Sequence, residues 1–336
     1  MWVGTKNSDT RSAIARRRTM RSTVVNEDEN YSRAVTNKSS ITGIGFVVLS
    51  SCFFGLAPTF SKFAQDDGST ATGTLIARFT IAATIAVLGR SFLMRREAWP
   101  AKRTVVELLL LGGVGYFLGA LFYFTALENI DSSLAIVLFN CYPLFVVFFG
   151  WVLFRHAPTW RVLLTLVITL TGVGISAGEV GTGNGWSIAL CVGSALLYTA
   201  YSLGSSRTLM RIDVITGTSL VVVGGAASFW LYWLIGGRWI DVSFPDSLTG
   251  WSHIVLMGTM STIGGTMLFF AGMTRIGAAK ASIATTAEPV MVIVAGVTIL
   301  GESLNLVRTI GALLVLVGLL SLTMAERRSI PTPIPQ

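Results

Sequence analysis

The chain of 336 residues is 52% hydrophobic and only 12% charged, about half the charged share of an ordinary soluble domain, so most of it reads as membrane-embedded and a soluble fold is excluded. A net charge of +8 would suit nucleic acid only if the basic residues gathered on one soluble face; here they flank apolar runs, and no nucleic-acid partner is expected. Cys52, Cys141 and Cys191 lie inside apolar runs, and His156 and His253 are far apart, so no disulfide framework, metal site or cofactor is expected.

Residues 1–40 are polar, Arg-rich and Ser-rich and read as a disordered cytoplasmic tail. Arg16-Arg17-Arg18 has the charge of a targeting segment, but no apolar core with a cleavage site follows it. Apolar runs then fall near 41–63, 71–93, 104–127, 130–153, 160–177, 185–203, 212–235, 249–274, 278–300 and 304–324, with a short second tail at 326–336. Spans of this length cross a hydrocarbon core of about 30 Å. The pattern is that of an all-α polytopic membrane protein with about ten transmembrane helices and a lipid bilayer as its surroundings.

Lys and Arg accumulate in cytoplasmic loops. With the N-terminus inside, the inward segments hold Arg95, Arg96, Lys102, Arg103, Arg155, Arg161, Arg207, Arg211, Arg275, Lys280, Arg327 and Arg328. The outward segments carry Asp66, Asp67, Glu128, Asp131, Glu179, Asp241, Asp246 and Glu302, with Lys62 and Arg238 as exceptions. Both termini are therefore expected in the cytoplasm, the protein lying in the plasma (inner) membrane.

Sliding the chain by 289 − 143 = 146 positions lays Gly119–Gly172 on Gly265–Gly318 without a gap and puts Pro143 on Pro289 and Gly150 on Gly296. Five helices per half is an odd number, so the halves, 41–180 and 181–325, would be inverted relative to each other. Inverted repeats of this kind build many secondary transporters, whose solute sits at the midplane between interrupted helices.

The helix at 278–300 carries Glu288-Pro289 about halfway along. An acid at that depth costs roughly 2.5 to 3.5 kcal/mol to insert and needs a partner, a bundle interior or a wet cavity. Each proline frees the carbonyl four residues earlier, of Phe139 for Pro143 and of Thr285 for Pro289. Glu288, Thr285 and Thr286 thus face their repeat mates Asn140 and Tyr142 as a recognition site for an ammonium or amide group. Arg78, too deep to reach the interface fully by snorkelling, is set to pair with Glu288 or with a solute carboxylate, and Tyr198 and Tyr201 to line the path. A buried carboxylate of this kind takes a proton when the solute leaves, which makes transport depend on pH.

Ala77-Arg78-Phe79-Thr80-Ile81-Ala82, Ala287-Glu288-Pro289-Val290 through Leu300-Gly301-Glu302, and Gly311-Ala312-Leu313-Leu314-Val315-Leu316-Val317-Gly318 together resemble the EamA family of the drug/metabolite transporter superfamily, over about 41–325. The resemblance implies ten helices in two inverted five-helix repeats, and export or exchange of small polar metabolites, commonly amino acids. The first repeat departs from the family pattern at Phe154-Arg155-His156, where a glutamate is expected. A small-molecule solute is the partner so implied, and a homo-oligomer is compatible with it. The alternatives are a carrier of larger anionic solutes such as nucleotide sugars, which would want several basic residues at mid-depth, and a channel or non-transporting membrane protein. An enzyme is not expected, since no nucleophile and base, nor any clustered His and acid set, sits near one interface.

The orientation is checked by cysteine labelling in a cysteine-free background. An impermeant thiol reagent applied to intact cells should modify a cysteine placed at Ser243 and spare one in the 98–102 loop; the reverse pattern means that the chain is inserted the other way.

Overall fold

The computed structural model describes residues 39–127, 132–155, 157–176, 184–299 and 306–328. The predicted tail over 1–40, apart from its last two residues, the loop residue His156 and the Leu300-Gly301-Glu302 segment lie outside them. All regular structure among the described residues is helical. Helix α1 (Ser39–Asp66) and α2 (Ala71–Leu93) form a first hairpin; α3 (Lys102–Leu110) runs through a π-helical segment, Leu111–Tyr116, into α4 (Phe117–Leu127). A broken pair follows, α5 (Ser132–Phe139) and α6 (Tyr142–Phe154), and then α7 (Trp160–Ser176), α8 (Gly185–Thr208) and α9 (Val214–Gly236). Next, α10 (Leu248–Leu256) passes through a second π-helical segment, Met257–Gly265, into α11 (Thr266–Ile276). A second broken pair, α12 (Ala278–Ala284) and α13 (Glu288–Thr298), is joined by the 3-10 turn Thr285–Ala287, and α14 (Leu306–Arg328) ends the chain.

The sequence marks these ends chemically. Asn184, Asp213 and Ser247 cap α8, α9 and α10, their side chains accepting from the N–H groups of Ser187, Thr216 and Gly250, donors that a helix start leaves unpaired. Gly277 ends α11 at φ 80°, a left-handed conformation that glycine adopts without cost. Arg155 takes the same region, φ 56°, after α6, at the position that in the other half is Gly301.

Eight helices among the described residues are long and apolar enough to cross a membrane, and two shorter apolar ones, Trp160–Ile175 and Thr309–Leu322, accompany them. Large apolar side chains such as Phe148, Val167, Leu231, Ile235 and Leu320 point outward. In water so much exposed apolar surface would aggregate; in lipid it is the solvated face.

The interior is held by close backbone crossings. A Cβ at Gly112 would lie 1.9 Å from the Val221 carbonyl oxygen and one at Gly224 2.2 Å from that of Leu109, so α3 and its π-helical segment touch α9 backbone to backbone. A Cβ at Gly172 would meet the Val315 amide at 2.7 Å, and one at Gly318 would meet Thr169 at 2.4 Å, which lets α7 lie along α14. Such small-residue contacts replace the hydrophobic drive that lipid removes. At the Asp67 end of α1, the Asp67 carboxylate accepts from both the hydroxyl and the amide of Ser247, and these donors hold its pKa below the usual carboxylate value. Thr70 and Ser243 exchange further bonds beside it, so the α1–α2 turn is clasped to the loop before α10.

Replacing Gly224 with Ala should force α3 and α9 apart and cost on the order of 3 kcal/mol, read as a lower unfolding temperature in detergent. Gly45→Ala, where a Cβ meets nothing within 4 Å, should not fall with it.

Candidate functional site

Both chain breaks lie where the prolines put them. Pro143 stands in the first turn of α6, where a missing N–H costs nothing, and Asn140 and Cys141 form the gap before it. In the second pair the 3-10 turn spans the gap and Pro289 follows Glu288. The expectation of a free Thr285 carbonyl is corrected here: the Glu288 N–H donates to it, because tightening to an i→i+3 bond recovers the acceptor that Pro289 leaves.

The two breaks touch. The Tyr142 hydroxyl is hydrogen-bonded to the Thr285 hydroxyl, with Tyr142 4% and Thr285 2% exposed. The Thr285 hydroxyl also donates to the Ser282 carbonyl at 2.7 Å, and that of Thr286 to the Ile283 carbonyl at 2.6 Å. These hydroxyls therefore serve the end of α12 first. From α8, Thr199 shares its hydroxyl between the carbonyls of Ala195 and Tyr142. Asn140 sits half-buried in the first gap, engaged with its surroundings.

Aromatic rings run from the breaks to Arg78. Tyr198 stands edge-on to Tyr142 at 4.7 Å between centroids, Tyr201 lies 5.5 Å from Tyr198, and Tyr116 stacks on Tyr201 at 5.5 Å. Arg78 comes at the end of the row. Its Nε donates to the Thr262 hydroxyl at 2.6 Å, and its guanidinium lies 5.3 Å from the centre of the Phe79 ring, which is itself 5.3 Å from that of Tyr116. Arg78 forms no ion pair with Glu288, although the two act on each other electrostatically. Glu288 is half-buried. No described protein group donates a hydrogen bond to its carboxylate.

All eight residues singled out from the sequence lie on the two breaks, on α8 or on α2; of these, Thr285, Tyr142, Tyr198 and Tyr201 form one chain of contacts, which reaches Arg78 through Tyr116 and Phe79. Tyr116 and Thr262 were missed. They stand in the π-helical segments, and 262 − 116 = 146 is the signal that would have found them, since Leu111 and Met257, where those segments begin, are also 146 apart.

The family model for the EamA-like transporter family matches twice, at residues 41–178 and 185–324. The chain belongs to the EamA-like transporter family. It is, accordingly, an integral α-helical membrane transporter. Relatives of this EamA-like chain include the uncharacterized transporter YcbK of Bacillus subtilis, 24% identical over 82% of this chain and 90% of that protein. An uncharacterized transporter of Archaeoglobus fulgidus is 27% identical over 81% and 95%, and the uncharacterized inner membrane transporter YicL of Salmonella typhimurium 26% identical over 68% and 76%. A solved crystal structure shares the fold, with a TM-score of 0.69 at 20% identity over 87% of this chain and 98% of the other.

Arg78 leans on Thr262, so Thr262→Val should leave the guanidinium short of an acceptor and lower stability by about 1 to 3 kcal/mol. Thr262→Ser, which keeps the hydroxyl, should recover most of that loss in the same thermal measurement.

Proposed function

We propose that this EamA-like chain is a secondary transporter that exports or exchanges a small polar, amino-acid-like metabolite by alternating access around a midplane site. Ten membrane crossings in two inverted five-helix repeats, 41–180 and 181–325, frame that site. Three features support the repeat: the double family match, the π-helical segments and chain breaks recurring at the 146-residue shift, and the carbonyls of Gly119 and Gly265, 146 apart, each accepting a serine hydroxyl from a neighbouring helix. The charge bias of the loops supports cytoplasmic termini in the plasma (inner) membrane.

The observation that carries the reading is the half-buried Glu288 carboxylate, which accepts no hydrogen bond from a described protein group, on the break that touches a row of tyrosines. A carboxylate and tyrosine faces favour an ammonium group, and Arg78 suits a carboxylate. Glu288, Arg78, Asn140, Tyr142, Tyr198 and Tyr201 are the proposed contacts, with Thr285 and Thr286 holding the second break in shape. A nucleotide-sugar carrier would want several cations here, and Arg78 is the one this cluster offers. A proton bound at Glu288 in the solute's absence makes the turnover depend on pH.

Counterflow in vesicles holding the purified protein, screened with amino acids and related amines and carboxylates, tests this. Glu288→Gln should slow transport of the identified solute roughly 10- to 100-fold, the loss of one charge-assisted contact, and flatten its pH profile. Unchanged rate and pH profile in Glu288→Gln would remove the charge from the mechanism, and the same in Glu288→Ala would remove the site.

A further inference from the structure

A cavity of about 760 Å³ lies apart from the site just described, lined by none of its residues. It opens where α6, α8 and α11 end and α7 and α12 begin, and so at one membrane face. Its charged lining consists of Arg161, Arg207 and Lys280, and none of the described lining residues is acidic. The loop charge bias makes this the cytoplasmic face. Lys280 already has a partner within the protein; Arg161 and Arg207, like charges at one opening, repel each other and favour an anion between them. Arg207 is fixed at the opening, its guanidinium 4.6 Å from the centre of the Phe154 ring. Behind the cations the wall is apolar, including Val147 and Trp151, and Trp151 is 48% exposed, so the cavity continues toward the hydrocarbon. A small free anion would satisfy the rim and leave the wall bare. A molecule with a phosphate and an alkyl chain satisfies both.

We propose that this cavity binds an anionic phospholipid of the cytoplasmic leaflet, its phosphate between Arg161 and Arg207 and one acyl chain along Val147 and Trp151. Basic pockets between membrane helices on the cytoplasmic side have the right charge and depth for such headgroups. The lining comes from α6 and α7 before residue 180 and from α8, α11 and α12 after it. A lipid held there grips both halves of the chain, and it stabilises whichever conformation keeps them in this arrangement.

Native mass spectrometry of the full chain in detergent tests this, with phosphatidylglycerol, phosphatidylcholine and glycerol 3-phosphate added in separate arms. Phosphatidylglycerol should be retained in preference to phosphatidylcholine. The preference should fall roughly fivefold for each cation removed in R161Q and R207Q, while R95Q/R96Q, elsewhere on the basic face, keeps it. Gly150→Leu tests the wall without touching charge: a Cβ at Gly150 meets only Leu203, at 3.6 Å, so the new side chain fits while filling the cavity, and it should reduce lipid binding. Equal binding of the two lipids, or an unchanged preference in the double variant R161Q/R207Q, overturns the proposal. Binding of glycerol 3-phosphate as tight as that of phosphatidylglycerol also overturns it and makes the cavity a free-anion site. Should the double variant fail to fold, R161Q, which alters an exposed side chain, decides the charge question alone.

Discussion

Hydrocarbon offers no water to an unpaired backbone group, and this constraint governs where the chain can break. Two helices are interrupted in mid-span, and two more carry π-helical segments, so several carbonyls lose their regular partner. The protein satisfies them with hydroxyls from adjacent helices. Ser50 donates to the Gly265 carbonyl and Ser194 to that of Gly119, at 2.7 and 2.6 Å; Thr285 and Thr286 donate within their own turn. Most polar side chains in the bundle interior are thereby committed to backbone. Arg78 and Glu288 differ in kind, since a charge cannot be retired by one neighbouring hydroxyl. They stand out as chemistry because the surrounding polarity is already used.

The breaks were legible because proline leaves an unambiguous mark: neither Pro143 nor Pro289 can donate a backbone hydrogen bond, whatever the tertiary context. Their 146-residue spacing also made the pairing of the two breaks readable, and with it the company of Tyr142 and Thr285. The recovery of the Thr285 carbonyl was not readable, because a local 3-10 turn depends on how the neighbouring helices hold the backbone, and no residue type announces it. The π-helical segments escaped for a related reason. Each adds one residue to a turn within an apolar, glycine-rich run, which leaves composition unchanged and rotates every later side chain. That rotation brings Thr262 onto Arg78, and without it the guanidinium could be matched only to an acid far along the chain. Its placement beside Glu288 in the field of one charge, without direct contact, is a matter of a few ångströms that sequence spacing cannot resolve.

The 146-residue register repeats the frame and not the chemistry. Prolines, breaks, π-helical segments and crossing glycines recur, whereas Arg78 falls opposite Gly224, Glu288 opposite Tyr142 and Tyr116 opposite Thr262. A frame that recurs suits a device that must close in two equivalent ways, because the same hinge geometry is needed at both faces. Unlike charges within it serve another end. In the proposed site the cation comes from the first half and the anion from the second, so a zwitterionic solute neutralises both only when the halves stand at one separation. An empty site leaves Arg78 its bond to Thr262, a contact that itself crosses between the halves. Occupied and empty states then differ in the contacts that cross between the halves, and that difference is what a solute needs in order to shift a conformational equilibrium.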